Sequence, residues 1–115
     1  MKKIIHATLN ELGVPFGLNG RDYIESAVEL LLNKGRMGMT TELYPSVAAV
    51  FGTKPSRVER DIRHAIEETF SNSDPKRISE FFGNVISLET GKLVNTDFLY
   101  GIVKHIQVYH LAVEE

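Results

Sequence analysis

Apolar side chains recur at the spacing of an α-helix along most of the chain, and this pattern restricts the fold more than any other feature. In the clearest case, which begins near Asn19, the apolar positions follow the spacing i, i+3, i+4, i+7 and i+8: Ile24, Ala27, Val28, Leu31 and Leu32. This spacing places one apolar stripe along a helix, which must be buried against other elements. The chain is therefore predicted to fold as a bundle of helices.

Glycine and proline punctuate the periodic segments and set the number of helices at six. The predicted helices are Lys3–Leu12, a second from Asn19, a third over Glu42–Phe51, a fourth from about Lys54, a fifth capped by Asp74 and ending near Gly83, and a sixth capped by Asn95 or Thr96. Only Val85–Val94 lacks helical periodicity, and it fits either a small hairpin or an irregular connection. We expect an all-α, six-helix bundle.

The length and composition fit one ordinary globular domain without disulfides. The 115 residues correspond to a single domain, 1–115, and the chain has no cysteine. No apolar run approaches the roughly 18 residues of a membrane span, and the polar residues near the start break any signal-peptide core. We therefore expect a cytoplasmic protein with no membrane contact. The net charge of -2 means that any nucleic-acid site must concentrate positive charge on one face.

The fourth helix carries such a concentration in the stretch TKPSRVERDIRHAIEET, Thr53–Thr69. At 100° per residue, one side of the helix is apolar or small and must face the core: Val58, Ile62, Ala65, Ile66, Thr69 and Phe70. The first two turns carry four basic side chains against two acidic ones, and Glu67 and Glu68 follow later. Positive charge is therefore concentrated at the start of the helix.

A purely structural interpretation of this stretch is also available. Opposite charges recur four residues apart, in the pairs Arg57–Asp61, Glu59–Arg63 and Arg63–Glu67, and such pairs stabilise a solvated helix. Ser56 and Glu59 fit a capping box, with Thr53 as a rival N-cap. On charge alone, the stretch is typical of a surface helix whose charges pair with each other.

The position of this helix favours a different function. A short helix containing Ala48 and Ala49, a turn at Gly52, and a longer helix with arginines in its first half have the layout of a helix-turn-helix motif. Arginine binds the O6 and N7 atoms of guanine, and a carboxylate accepts from the N4 amine of cytosine. The candidate base-reading residues are Arg57, Glu59 and Arg60. Lys54, Ser56 and His64 are candidates for contacts to phosphates.

The segment LYPSVAAVFGTKPSRVERDIRHAIEETF resembles the DNA-binding effector domain of the stage-zero sporulation response regulator, and SRVER with IRHAIE is its most specific part. ELGVP, FG and NTDF extend the resemblance over nearly the whole chain. The resemblance implies a six-helix bundle with a helix-turn-helix, similar to a winged-helix domain but without a clear wing. It implies that Arg57, Glu59 and Arg60 read a heptamer whose sequence is close to TGTCGAA, and that Ser56, Arg63 and His64 contact the DNA backbone.

The same resemblance implies the partners. These are double-stranded DNA, a second copy of the domain on tandem boxes, and a receiver domain or RNA polymerase. In the family the domain follows a phosphorylatable receiver domain, which these 115 residues do not contain, so we expect either an excised effector domain or a relative regulated by other means. Two further departures are Asp61, where the best-known members have alanine, and the shorter, glycine-rich loop KGRMGMTTE.

Other chemistry receives little support. His105 and His110 are five residues apart, which on a helix turns their rings about 140° from each other, whereas metal pairs use a spacing of three or four. We expect no metal site, no cofactor and no enzymatic activity. The apolar stripe of the last helix fits the core or, alternatively, an oligomer contact. The competing function is a protein-interaction module that keeps the fold but no longer reads DNA, for which Asp61 and the acidic net charge are the support.

Overall fold

The computed structural model describes residues 1–17, 19–83 and 94–111, and every regular element in these ranges is helical. The six α-helices are α1 (Lys2–Leu12), α2 (Asn19–Lys34), α3 (Tyr44–Phe51), α4 (Pro55–Asn72), α5 (Pro75–Phe82) and α6 (Asn95–Tyr109). The prediction of an all-α, six-helix fold is confirmed. The predicted hairpin or irregular connection over Val85–Val94 lies outside the described residues except for Val94. None of the described helices is both long and apolar enough to cross a membrane.

Two of the predicted helix boundaries follow directly from their capping residues. Gly13 adopts the left-handed conformation (φ 93°, ψ 26°), so its N–H bonds back to the last carbonyls of α1. Asp74 caps α5, because its carboxylate accepts a hydrogen bond from the Lys76 N–H at 3.0 Å. The predicted cap of α6 is wrong: Val94 is the N-cap and makes no side-chain cap bond, whereas Asn95 is the first helical residue and is buried.

The third helical segment starts earlier than predicted. A one-turn π-helix, Met39–Leu43, leads directly into α3, so helical structure begins three residues before Glu42. The Glu42 carboxylate accepts a hydrogen bond from the Gly38 N–H at 3.1 Å, which joins this turn to the preceding loop. The loop between α2 and the π-helix is therefore short and is fixed at its end.

The buried apolar side chains of all six helices form one cluster, and α4 packs against α2, α3 and α6. The predicted core side of α4 is confirmed: Val58, Ile62, Ala65, Ile66 and Thr69 are buried, and Phe70 is half-buried. The apolar stripe of α6 also belongs to the core, through Phe98, Leu99, Ile102, Val103 and Ile106. Tyr109 at the end of α6 remains 70% exposed.

α2 approaches α4 very closely at Gly20, where the two helices cross. A Cβ atom at Gly20 would overlap the carbonyl oxygen of Asp61 and lie 2.8 Å from the Cβ of Ala65. Only glycine therefore allows α2 to come this close to α4. The crossing lies directly beside the first half of α4, and it fixes the position of that half in the fold.

A buried arginine, which the sequence pattern did not indicate, holds the corner between α1 and α2. Arg21 is 2% exposed, and its guanidinium donates to the Val14 carbonyl at 2.7 Å and to Asn10 Oδ1 at 2.8 Å. It also pairs with Glu25 at 3.1 Å and lies 4.2 Å from the centre of the Phe16 ring. These bonds offset the desolvation free energy that burying the guanidinium charge costs.

Aromatic rings join α5 to α6 around His105. The imidazole stacks on Phe81 at 4.0 Å between ring centres and lies 4.7 Å from Tyr109. The predicted separation of the His105 and His110 rings is wrong, since α6 ends at Tyr109 and His110 no longer follows helical geometry; the two ring centres are 6.1 Å apart. Burial is the main cause that lowers the pKa of His105; nearby Glu11 raises it and His110 lowers it further.

We expect His105 to make the protein less stable as the pH falls. Its pKa is lower in the folded state, so below the ordinary value of about 6.5 the unfolded chain takes up the proton first. Stability is therefore fully present above about pH 6.5, and is lost as the pH falls from there to the folded-state pKa. Urea unfolding at about pH 7.5 and about pH 5.5 measures the loss.

The variant His105→Gln should lose less stability than the wild type over the same pH interval. His64→Gln is the matched control, because His64 is exposed on α4. If the His105→Gln and His64→Gln proteins lose equal stability between the two pH values, His105 does not contribute to the acid sensitivity.

Candidate nucleic-acid interface

The turn between α3 and α4 is built by three consecutive residues. Gly52 ends α3 in the left-handed conformation (φ 65°, ψ 37°), and Thr53 donates its N–H to the Ala48 carbonyl at 3.0 Å. Lys54 is extended (φ -100°, ψ 146°) and is the N-cap of α4, with Pro55 as the first helical residue. The start of the fourth helix near Lys54 agrees with the sequence prediction.

The predicted capping box is wrong. Ser56 and Glu59 would need Ser56 at the N-cap, but α4 already begins at Pro55, so both residues lie inside the helix. Thr53 is not the cap either, and the Lys54 side chain makes no cap bond. The serine and the glutamate are therefore not committed to capping the helix start.

The predicted contact residues lie on the solvent-facing surface of the first half of α4 and at its N-cap. We call this surface the reading face; it comprises Lys54, Ser56, Arg57, Glu59, Arg60, Arg63 and His64. All are exposed except Glu59, which is half-buried. This set contains four basic side chains, Lys54 and the three arginines, and one carboxylate, that of Glu59. The fold therefore presents a net positive surface at the first half of α4, immediately after the Gly52 turn.

Two of the arginines on the reading face are paired with carboxylates. Arg63 Nη1 contacts both oxygens of Glu59, at 2.9 and 2.7 Å, which confirms the predicted Glu59–Arg63 pair. Arg60 Nε lies 3.5 Å from Asp61 Oδ1. The predicted pair of Arg57 with Asp61 does not form. Within the part of the chain that the structure describes, the Lys54 and Arg57 side chains make no ion pair.

Asp61 lies at the edge between the reading face and the core. Its side chain is 17% exposed, compared with 48% for Arg60. Its backbone carbonyl faces Gly20 at the crossing of α2 and α4. Asp61 is thus held close to the helix surface, from where its carboxylate reaches only the inner end of the Arg60 guanidinium.

A buried side-chain amide, which the sequence did not indicate, connects α4 to α3 and α6. Asn95, at the start of α6, donates one bond to the Tyr44 hydroxyl and one to the Glu59 carbonyl, each at 3.1 Å. Burial is the main cause that raises the pKa of Tyr44. In the sequence, an asparagine at a helix start is indistinguishable from a cap, so its inward orientation gave no signal.

Metal ligation and unsatisfied buried polar groups give no second candidate site in the described residues. Among residues 1–17, 19–83 and 94–111, no group of three or more histidines, aspartates and glutamates is arranged to hold a metal ion. Each buried polar side-chain atom in these ranges has a hydrogen-bond partner. Neither feature therefore competes with the reading face as a binding site.

The short α3, the Gly52 turn and the longer α4 form a helix-turn-helix, the arrangement of a class of DNA-binding regulatory domains. Comparison with protein families gives the particular case. The chain matches the model for the C-terminal domain of the sporulation initiation factor Spo0A over residues 5–106. It therefore belongs to this family of sporulation-initiation DNA-binding domains, and the resemblance noted in the sequence is confirmed.

Proposed function

We propose that this domain regulates transcription by reading a short DNA box, a heptamer near TGTCGAA, with the first turns of α4 in the major groove. Arg57, Glu59 and Arg60 would contact base edges, and Lys54, Ser56, Arg63 and His64 would contact the backbone. The observation that carries the proposal is their position on the solvent-facing surface at the start of α4, directly after the Gly52 turn, where all of them except the half-buried Glu59 are exposed. In helix-turn-helix proteins the N-terminal residues of the second helix contact the bases.

A titration tests the proposal. The protein is added to a labelled duplex that contains the heptamer and to a scrambled duplex of equal length, each at about 50 and about 200 mM salt. We expect tighter binding to the heptamer and a steep loss of affinity at the higher salt, because phosphate contacts release counterions. Equal, negligible binding to both duplexes at low salt would contradict it. A tandem-box duplex in the same titration gives the number of copies bound.

A protein-interaction module that no longer reads DNA is the second candidate, and the two ion pairs favour it. Arg60 and Arg63 are already occupied by Asp61 and Glu59, so binding DNA requires these contacts to be exchanged. Exposed pairs of this kind contribute only about 0–1 kcal/mol each, however, and a phosphate or guanine can replace the carboxylate. The DNA-reading function therefore remains the better supported of the two.

We expect Asp61→Asn to tighten DNA binding about 2- to 5-fold, the equivalent of roughly 0.5–1 kcal/mol for an ion pair at the protein surface. The amide keeps the shape of the side chain at the α2 crossing while it removes the charge that holds Arg60 and repels phosphates. The same heptamer titration measures the change. Asp22→Asn, on α2, is the control for the change in net charge. Weaker binding by Asp61→Asn alone would mean that Asp61 positions Arg60 for its contact.

A further inference from the structure

A second basic surface lies beside the helix-turn-helix, outside the reading face. A hollow of about 510 Å³ separates the end of α2 and the following loop from the exposed side of α3. Its polar lining comprises Lys34, Arg36, Thr41, Glu42 and Ser46, and Ala49 lines it as well. We call it the basic hollow. Because it is wide and open, it suits an extended ligand that passes over the surface.

The charges of the hollow fit an anion that accepts hydrogen bonds. Lys34 and Arg36 make no ion pair within the described residues. Among the described residues that line the hollow, Glu42 has the one carboxylate, and one of its oxygens already accepts the Gly38 N–H at 3.1 Å. The hydroxyls of Thr41 and Ser46 add donors. Arginine, lysine and hydroxyl side chains are the groups that contact phosphate oxygens in protein–DNA complexes.

The loop that carries Arg36 is held in place from α6. The Tyr100 hydroxyl accepts a bond from the Met37 N–H at 3.1 Å and donates one to the Met37 carbonyl at 3.2 Å. The Arg36 guanidinium lies 4.6 Å from the centre of the Tyr100 ring. A side chain that is already restrained loses less conformational entropy when it binds. The Arg36 side chain is thus already restrained in a position from which it can contact a ligand.

The location relative to α4 indicates which anion this is. α3 is the first helix of the motif and packs on α4, and in helix-turn-helix complexes the first helix crosses the DNA backbone while the second enters the groove. Ser46 and Ala49 lie on α3 itself and line the hollow. We propose that the basic hollow binds backbone phosphates of duplex DNA that flank the box read by α4. This inference rests on the proposed function for the orientation of the DNA.

The test compares two double variants of the full chain. Lys34→Gln/Arg36→Gln removes both cations of the hollow, and Lys3→Gln/Lys76→Gln removes two exposed cations elsewhere and changes the net charge equally. The slope of log affinity against log salt changes by about 0.9 for each phosphate contact. We expect the hollow variant to lose about 0.9–1.8 of slope relative to the control, on heptamer and scrambled duplexes alike.

A second measurement locates the contact. The affinity difference between the hollow variant and the control should disappear on a duplex trimmed to the heptamer, because the flanking phosphates are then missing. Arg36→Lys/Lys34→Gln should regain about half of the lost slope, since lysine keeps the charge. Thermal unfolding confirms that each variant is folded.

Three results would overturn the inference: equal slopes for the two double variants, an affinity difference that persists on the trimmed duplex, or unchanged DNA binding combined with lost transcription from a template. The last result would assign the hollow to a protein partner of acidic surface. Failure of the proposed function is distinguishable, because it appears as equal wild-type binding to heptamer and scrambled duplexes. The difference in salt slope between the hollow variant and the control variant is expected even if the protein prefers no DNA sequence.

Discussion

Arg60→Ala is expected to weaken binding to the heptamer duplex by about 1–3 kcal/mol, which is about a 5- to 160-fold change in Kd. Arg60 is half-exposed on the reading face, and a guanidinium there can bond to both acceptors of a guanine. The loss should be much smaller on the duplex with the corresponding base pair replaced. A set of duplexes, each with one altered base pair, measures this difference.

Lys54→Ala is the matched comparison for Arg60→Ala. Lys54 is exposed at the N-cap of α4 and is proposed to contact phosphate, so its removal should weaken binding to all duplexes by the same factor. Arg60 would be a backbone contact, and not a base contact, if its alanine variant lost affinity uniformly across the altered duplexes in the way expected for Lys54→Ala.

Gly20→Ala is expected to destabilise the fold by about 1–3 kcal/mol, although alanine normally favours a helix over glycine by about 1 kcal/mol. The added Cβ would overlap the Asp61 carbonyl and crowd Ala65, so α2 and α4 must move apart. Since this displaces the first half of α4, heptamer affinity should fall as well. Urea unfolding measures the loss of stability.

Asn19→Ala provides the control for Gly20→Ala, because Asn19 precedes it in the same turn and is exposed. It should change the stability by no more than about 0.5 kcal/mol, the range of ordinary surface substitutions. A Gly20→Ala protein that is as stable as the Asn19→Ala protein would show that the crossing of α2 and α4 accommodates a methyl group without cost.

The parts of the fold that depend on local periodicity and capping were predictable from the sequence. The stripe from Val58 to Thr69 faces the core because helical geometry leaves no other side for it. Asp74 followed by Pro75 marks the start of α5 for an equally local reason. The number of helices followed from the glycine and proline punctuation, and the helix-turn-helix from the layout of two helices around Gly52. The family resemblance implied both independently, and both are confirmed.

The parts that depend on tertiary contacts were not predictable in this way. Ser56 and Glu59 have the spacing of a capping box, but they do not cap α4. The Gly52 turn and Pro55 start the helix before Ser56, so both residues lie inside it. Asp61 was expected to pair with Arg57, four residues before it, but its position at the α2 crossing brings it to its neighbour Arg60. The base and backbone roles on the reading face stay predictions.

The buried Asn95 amide has a thermodynamic consequence for the whole domain. Its bond to the Glu59 carbonyl couples the start of α6 to α4, and its bond to the Tyr44 hydroxyl couples the start of α6 to α3. Linkage between two such events is reciprocal. We therefore expect a ligand that restrains α4 to slow hydrogen exchange in the first turn of α6, and a change that loosens that turn to lower the affinity of α4 for its ligand.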